Sequence, residues 1–449
     1  MNRLFGTDGV RGVANTELTP QLAFNLGKAG AYVLKRNQGR PTVLIGKDTR
    51  VSGDMLEDAI SAGILAMGGN VIKVGVLPTP AIAYLVRHMK ADAGIVISAS
   101  HNSYEYNGIK FFNSEGFKLD DDIEDEIEDI ILRNIDVNSH ISGDKLGRSV
   151  KMEQNAAIEY INFLKKSTDV DFNGLKIVID CANGASYQVA EKVFTELGAE
   201  VIVIANSPDG VNINDKCGST HPQSLQERVL HEKANLGLAF DGDGDRLIGV
   251  DEKGRILDGD KMLFIFTKML KEAGTLAGNK VTVTVMSNLG FHKAVEKIGC
   301  TVDITQVGDR YVLESMLKTK CVIGGEQSGH IIFLQYNTTG DGILSAIQLV
   351  KSLKQSGKKL SELGDQVETY PQILINARVK NENKKKYIND PEIAVRIKEI
   401  EEQMAGEGRV LIRPSGTEPL VRIMLEGKDS DSMGKMGQDL AALISEKMG

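Results

Sequence analysis

One pattern recurs three times in this chain of 449 residues: an apolar strand, a polar or glycine-bearing loop, an amphipathic helix, a glycine, and a second apolar strand. The first copy runs from Thr42-Val-Leu-Ile-Gly46 through a helix around Met55 to Met67, then Gly68-Gly69, to Val71-Ile-Lys-Val-Gly75. The second joins Lys176-Ile-Val-Ile-Asp180 to Val201-Ile-Val-Ile204 through Val189 to Leu197 and Gly198. The third joins Val281-Thr-Val-Thr-Val285 to Thr301-Val-Asp-Ile304 through Phe291 to Ile298 and Gly299. A strand-helix-strand unit of this length closes through a right-handed crossover that leaves its strands parallel. The pattern therefore predicts three related α/β domains with mixed or mostly parallel sheets.

Past Tyr370-Pro371 the pattern changes. A strand at Ile373 to Val379, the run Lys384-Lys385-Lys386, a helix at Pro391 to Met404, strands at Arg409 to Arg413 and Leu420 to Glu426, and a last helix read as a small α+β domain. Polar stretches near Lys151, Asp251 and Glu368 divide the chain into residues 1–151, 152–251, 252–368 and 369–449. In the acidic stretch Asp120 to Asp129, Ile123, Ile127, Ile130 and Ile131 recur at helical intervals, so its carboxylates are expected on a solvated face. The three lysines are likewise expected to be exposed.

A formal charge of -8 argues against a general nucleic-acid or membrane-surface protein, yet leaves room for a local basic pocket. Cys181, Cys217, Cys300 and Cys321 are scattered without C-x-x-C spacing, as expected of reduced thiols in a cytosol. The N-terminal segment lacks a signal-peptide apolar region, and no run approaches the roughly 18 apolar residues of a membrane span. A cytoplasmic protein without membrane insertion is expected.

The run Asp241-Gly-Asp-Gly-Asp-Arg246 turns three carboxylates toward one point, which suits a hard cation. A calcium EF-hand comes close, with Asp241, Asp243, Asp245 and Glu252 at the right loop positions. Arg246 stands where that loop needs glycine, however, and the flanks Leu236 to Phe240 and Leu247 to Val250 read as strands. The loop is expected to be a strand-loop-strand magnesium site. Magnesium is usually completed by phosphate oxygens, so a phosphate should lie near.

Other loops supply matching chemistry. The strand Ala93 to Ile97 runs into Ser98-Ala-Ser-His-Asn102, at the strand end where α/β sheets bind ligands. Lys110 in Asn107-Gly-Ile-Lys110 and Arg11 in Gly6-Thr-Asp-Gly-Val-Arg-Gly12 could neutralise phosphate. Gly324-Gly-Glu-Gln-Ser-Gly-His330 puts Glu326, Ser328 and His330 on a flexible loop that can bond sugar hydroxyls. Arg413-Pro-Ser-Gly-Thr-Glu-Pro419, with Arg422 beyond it, has the composition of an anion loop. Each loop alone also reads as an ordinary turn or a solvated charge. P-loop, G-x-G-x-x-G, G-x-S-x-G and H-E-x-x-H motifs are missing from the sequence.

Together, the Ser98 to Asn102, Asp241 to Arg246, Gly325 to His330 and Arg413 to Pro419 blocks resemble the alpha-D-phosphohexomutases in order and spacing, over the whole chain. Within that family, Phe5 to Gly12 and Asn214-Asp-Lys-Cys-Gly-Ser-Thr-His-Pro222 resemble the branch acting on glucosamine phosphates. Many relatives have threonine at the position of Ser98, a change that should leave the chemistry intact. The resemblance implies four domains around a central cleft, with Ser100 phosphorylated. It makes Asp241, Asp243, Asp245 and a Ser100 phosphate oxygen the ligands of one magnesium ion per chain. Glu326 and Ser328 would meet the sugar, while Arg413, Ser415, Gly416, Thr417 and Arg422 would hold the phosphate that is not transferring. Lys110 and Arg11 would neutralise charge, and His101 or His330 would move a proton, with a histidine that merely bonds to its loop as the competing reading.

The implied reaction interconverts glucosamine 6-phosphate and glucosamine 1-phosphate, with a sugar bisphosphate as intermediate and activator. Two rivals stand: a phosphomannomutase or phosphoglucomutase using the same apparatus, and a phosphosugar-binding regulator without turnover. The resemblance also brings two partners into view, a second copy of the chain in a homodimer and a membrane-bound diadenylate cyclase as a regulatory partner.

Overall fold

Strands that read as unbroken apolar runs are buried from end to end, as two-sided burial in an α/β sheet requires. Ala93–Ile97 and Leu236–Phe240 are buried at every position. The computed structural model describes residues 3–6, 8–137, 141–404, 406–415 and 418–449. The described chain divides into two compact units, Met1–Thr284 with Asp303–Asp365, and Val285–Val302 with Gln366–Gly449.

The first domain contains β1 (Val10–Val13), α1 (Pro20–Gln38), β2 (Thr42–Lys47), α2 (Gly53–Ala66), β3 (Asn70–Val76), α3 (Thr79–His88), β4 (Ala93–Ile97), β5 (Tyr106–Asn113), α4 (Asp121–Leu132) and β6 (Ser149–Lys151). Its sheet has the order β1-β5-β4-β2-β3-β6. β2 pairs in parallel with β3 and β4, whereas β5 is antiparallel to β1 and β4. The second domain follows with α5 (Glu153–Lys165), β7 (Lys176–Asp180), α6 (Val189–Glu196), β8 (Glu200–Ile204), α7 (Gln223–Glu232), β9 (Leu236–Phe240), β10 (Leu247–Asp251) and β11 (Ile256–Leu257). Its order is β11-β10-β9-β7-β8, with β7 parallel to β8 and β9 and with β10 antiparallel to β9 and β11, so this sheet extends past the boundary expected at Asp251.

The third domain comprises α8 (Gly259–Glu272), β12 (Lys280–Thr284), α9 (Leu289–Lys297), β13 (Thr301–Thr305), α10 (Asp309–Thr319), β14 (Ile323–Gly325), β15 (Ile331–Phe333), α11 (Gly342–Ser356) and α12 (Leu360–Gly364), with sheet order β13-β12-β14-β15. The third repeat is therefore present, but its helix α9 belongs to the second compact unit. The local bonding shows why: Asn288, which caps α9, donates to the Tyr370 carbonyl at 2.9 Å and accepts from the Tyr370 amide at 3.0 Å. In that unit β16 (Gln372–Arg378), α13 (Pro391–Gln403), β17 (Arg409–Pro414), β18 (Leu420–Glu426) and α14 (Ser430–Met448) build the antiparallel sheet β16-β18-β17 and two helices. Both the mixed α/β class of the three domains and the C-terminal α+β arrangement match the sequence pattern. All four cysteines are free and buried, and among the described residues no helix is long and apolar enough to cross a membrane.

Two expectations hold only in part, since Asp121, Asp122, Asp125, Asp129, Lys385 and Lys386 are exposed but some other members of the two runs are not. The acidic face of α4 is not simply solvated: Glu128 accepts from the Leu4 and Phe5 amides at 2.8 and 3.0 Å, and Glu124 is buried. Lys384 is only half-exposed, because it donates to the Ser415 and Glu418 carbonyls at 2.8 and 3.2 Å. Helical periodicity identifies the apolar stripe but not what another segment lays across the polar one.

Burial pushes the Glu124 carboxyl up to about 7, with Asp121 adding to the rise and Arg310 opposing it. A raised acid holds its proton in the folded state at pH values where the unfolded chain has lost it. The stability Glu124 contributes is thus fully present below about pH 4.5 and is lost as pH rises through about 7. Glu124→Gln, neutral at every pH, is expected to match the unsubstituted protein near pH 5 and to be more stable by about 1 kcal/mol at pH 8, the shift being discounted for solvent screening. Thermal melts across that range measure the difference.

Candidate phosphoryl-transfer site

The chain leaves β4 through Ser98 to Asn102, and Ser100 sits there in the left-handed region at φ 51°, buried. For a residue with a Cβ that conformation is costly, so the surroundings must enforce it. The Ser98 hydroxyl accepts the Ser100 amide at 3.0 Å and donates to Asp48. Arg50, fully buried and paired with Asp48, donates to the carbonyls of Ser100 and Asn102 at 3.2 and 2.6 Å. Held this way, Ser100 Oγ donates to Asp241 Oδ2 at 2.6 Å.

Asp241 begins the turn between β9 and β10. Each of the carboxylates of Asp241, Asp243 and Asp245 offers an oxygen within 4.8 Å of the others, and all three residues are buried. Burial and the two neighbouring carboxylates push Asp241 well above the usual range. Backbone donors brace the loop from three directions: Thr79 bonds the Asp243 carbonyl at 2.9 Å, Ala185 that of Gly242 at 2.8 Å, and Gly342 that of Gly244 at 3.0 Å. Thr79 and Gly342 begin α3 and α11, so two positive helix ends face the acidic turn. One oxygen each of Asp243 and Asp245 is buried without a hydrogen-bond partner. Buried carboxylate oxygens of this kind are the donor set of a divalent cation. The three aspartates therefore fit a metal site, and the fit rests on these orphaned oxygens.

Cations on the protein offset part of this charge. Buried Lys110 donates to Asp243 Oδ2 at 3.0 Å and pairs with Asp8 at 2.9 Å. Burial alone would lower its pKa, but Asp243 and Asp8 raise it and keep the ammonium charged. Burial likewise opposes ionisation of Asp243, yet Lys110 and the Thr79 hydroxyl at 2.7 Å hold its carboxyl well below the usual range. Lys118 extends the chain, pairing with Asp8 at 2.9 Å and Asp309 at 2.7 Å. Arg11 joins from the other side, 3.0 Å from Asp8.

The two histidines differ. His101 Nδ1 lies 3.4 Å from Ser100 Oγ. Burial, then Arg246 and Arg11, lower its pKa and favour the neutral ring. His330 is buried, with Nδ1 3.5 Å from Asp245 and Nε2 accepting the Gly340 amide at 3.1 Å. Burial opposes a charge on this ring, while Asp245, Asp309 and Glu326 push its pKa up to about 9. An Nε2 that accepts an amide proton belongs to a neutral ring carrying its own proton on Nδ1, toward Asp245. A cation among the aspartates would offset the carboxylate field and favour that form. Gly340 is required here, since a Cβ would come 2.5 Å from the imidazole.

The Gly324 to His330 loop lies against the metal turn. Leu247 donates its amide to the Gly329 carbonyl at 3.1 Å, and Arg246 and His330 form an antiparallel bridge. Glu326 is half-buried and accepts the Gly308 amide at 3.2 Å, while Ser328 is exposed. Thus Ser100, His101, Lys110, Arg11, the three aspartates and the Glu326 to His330 loop all fall in one compact unit.

Arg413, Ser415 and Arg422 fall in the other unit. Arg413 on β17 faces Arg422 on β18 in register. Buried Ser415 accepts the Glu418 amide at 3.2 Å, and Arg422 pairs with Glu418 at 3.0 Å. The remaining two residues of the expected anion loop, Gly416 and Thr417, lie outside the described residues.

Sequence reasoning missed Asp8, Asp48, Arg50, Thr79, Lys118 and Asp309. Asp48 and Arg50 follow the exit of β2 and were findable by the strand-end rule that singled out Ser98. Thr79 and Lys118 gave no signal, because only the tertiary fold brings them to an aspartate.

A buried serine bonded to a carboxylate turn that fits a metal lies on three successive α/β domains, with an α+β domain following. The sequence matches, in order, the phosphoglucomutase/phosphomannomutase alpha/beta/alpha domains I, II and III and the C-terminal domain, at residues 2–137, 158–254, 258–370 and 374–443. The chain belongs to the phosphoglucomutase/phosphomannomutase family. It is 56% identical over 449 residues to the phosphoglucosamine mutase of Alkaliphilus oremlandii, covering 100% of both chains. It is 57% identical over 447 residues to that of Clostridium novyi, covering 100% of this chain and 99% of the relative. Its fold is similar to that of a phosphoglucomutase/phosphomannomutase family protein from Burkholderia thailandensis, with a TM-score of 0.81, 23% identity and coverage of 99% and 97%. The fold is also similar to Aspergillus fumigatus N-acetylphosphoglucosamine mutase in complex with GlcNAc-6P and magnesium, with a TM-score of 0.71, 16% identity and coverage of 99% and 96%.

Asp245→Asn separates a metal site from an acidic turn. Removing one ligand charge is expected to weaken divalent-cation binding at least about tenfold, or about 1.4 kcal/mol. The same change relieves repulsion, so the melting temperature in metal-free buffer should hold or rise. Titration calorimetry and melting of one preparation measure both quantities.

Proposed function

We propose that the chain catalyses the interconversion of glucosamine 6-phosphate and glucosamine 1-phosphate, the isomerase reaction that gives phosphoglucosamine mutases their name. The observation that carries the reading is the 2.6 Å bond from the strained Ser100 hydroxyl to Asp241 inside the carboxylate cluster. The full-length similarity to phosphoglucosamine mutases supports the choice of sugar.

In this reading the enzyme begins phosphorylated on Ser100. The free hydroxyl of the bound sugar phosphate attacks phosphorus, the bond from phosphorus to Ser100 Oγ breaks, and the hydroxyl proton leaves to a base. The resulting sugar bisphosphate turns end for end. Ser100 Oγ then attacks the other phosphate, whose ester oxygen departs and takes up a proton. Magnesium bound by Asp241, Asp243, Asp245 and a phosphate oxygen on Ser100 would offset charge on the transferring group. Lys110, kept charged by Asp243 and Asp8, contributes fixed positive charge, and Arg11 adds to it.

His101 is the better placed proton carrier at the serine end, being near Ser100 Oγ and favoured as a neutral ring. His330 instead orients Asp245 and its own loop. Glu326 and Ser328 bond the sugar hydroxyls, and Arg413, Ser415, Gly416, Thr417 and Arg422 hold the phosphate that is not reacting. The homodimer and the diadenylate cyclase belong to this reading on the family resemblance alone.

Ser100→Ala is expected to abolish both the phosphopeptide seen by mass spectrometry and nearly all turnover. Normal turnover by the alanine variant would refute the mechanism. Turnover would also exclude a binding regulator. The sugar assignment has its own test, in specificity constants for glucosamine 1-phosphate, glucose 1-phosphate and mannose 1-phosphate, each primed with its bisphosphate. Loss of a charge-assisted contact to the amino group should lower the value for neutral sugars by about ten- to hundred-fold. Equal values would leave a phosphohexomutase with a different preferred sugar.

A further inference from the structure

The segment Asn214 to Pro222 distinguishes the sequence, yet it supplies no group to the chemistry above. Its fold gives it another position. Asn214 is buried in the left-handed region at φ 59°, with its amide bonded to the Ala182 carbonyl at 2.9 Å. The following turn is fixed by the Gly218 amide, which donates to Asp180 at 2.8 Å, and by the Ser219 amide, which donates to the Phe240 carbonyl at 2.8 Å. Phe240 is the last residue of β9, directly before Asp241. The segment is thus anchored to the strand that carries the metal turn.

From that anchor the Asn214 side chain reaches into the first domain. Nδ2 donates to the Ser100 carbonyl at 2.9 Å and to the Asn102 carbonyl at 3.0 Å. These are the same two carbonyls that Arg50 bonds from the first domain. The carbonyls of the residues on either side of His101 are therefore gripped by a donor from each domain. Asn214 also packs against the metal turn itself: a Cβ on Gly242 would lie 2.7 Å from Nδ2 and 2.6 Å from the Ser100 carbonyl.

We infer that Asn214 is a positioning residue for phosphoryl transfer, fixing Ser100 against Asp241 by holding the Ser100 and Asn102 carbonyls across the boundary between the first two domains. It touches neither the carboxylate oxygens that fit a metal nor the loops assigned to the sugar. Its effect falls on the orientation of Ser100 Oγ. Displacement of a reacting group by about 1 Å can cost about a hundred-fold in rate. This inference rests on the proposed mutase activity, and its test includes a readout independent of turnover.

Asn214→Gly keeps a residue that tolerates φ 59° and removes both donors, so backbone strain does not confuse the result. Asn214→Asp keeps the shape and turns an acceptor toward two carbonyls; it carries the same test if the glycine variant does not fold. Each is expected to lower kcat about a hundred-fold. KM and divalent-cation affinity by calorimetry should stay within about threefold, a pattern that general loosening would not give. Hydrogen exchange in residues 98–103 should speed at least about tenfold without substrate, because the loop opens more readily once the clamp is cut. Unchanged kcat, KM or metal affinity falling in step with kcat, or unchanged exchange in that loop would each overturn the inference. Failure of the unsubstituted enzyme to turn over any hexose phosphate would remove the mutase reading instead, and exchange would still decide whether Asn214 holds the loop.

Discussion

Three carboxylates buried within one short turn repel one another, and much of the surrounding structure answers that repulsion. Lys110 is drawn out of water to meet Asp243, and its own desolvation is offset by a second carboxylate, Asp8. Asp8 in turn binds Lys118, which reaches Asp309. The result is a chain of alternating charges, a more favourable arrangement in a low-dielectric interior than any isolated ion. Two helix N-termini add positive ends without adding a side chain. These groups leave one oxygen each of Asp243 and Asp245 unsatisfied. A site that compensates its charge this far while leaving oxygens bare is arranged to be completed by a cation.

How far the sequence could be read follows from where the determining forces act. The three strand-helix-strand repeats were legible because apolar periodicity is a local signal, and all three appear at the expected positions. The Asp241 to Asp245 turn was legible because its chemistry is packed into consecutive residues. The Ser98 to Asn102 cluster was legible from its place after β4, at the ligand-binding end of a sheet, whereas Ser100 within it followed only from the family resemblance. The Asp48–Arg50 pair holds Ser100 as firmly, but a strand exit of mixed charge resembles many surface turns. Lys118 and Thr79 carry no local mark, since their partners are remote in the chain.

The two expectations that hold only in part share a cause. Glu124 and Lys384 belong to polar runs that are otherwise largely exposed, and in each run another segment meets some members. Burial raises the Glu124 carboxyl, and carbonyl acceptors capture the Lys384 ammonium. A polar run shows that its average member is solvated. It does not show which member is recruited, because that depends on packing outside the local window. The split of the third repeat is a related case: the pattern gave the helix α9 correctly, but the Asn288–Tyr370 bonds determine which compact unit holds it.

Strain marks the division between scaffold and chemistry most sharply. Gly244 and Gly329 also adopt positive φ around the site, at 70° and 92°, where the absence of a Cβ relieves the cost. Gly242 and Gly340 admit the Ser100 carbonyl and the His330 ring at distances a Cβ would forbid. At these four positions glycine lets the backbone bend or approach closely. Ser100, like Asn214, takes a left-handed backbone while keeping its side chain, and glycine could not supply the hydroxyl. The conformation is instead enforced by the donors on its carbonyl, by the Ser98 hydroxyl on its amide and by Asp241 on its side chain. Holding a residue against its own preference takes contacts from more than one direction, which is why Ser100 is gripped from the first and second domains together.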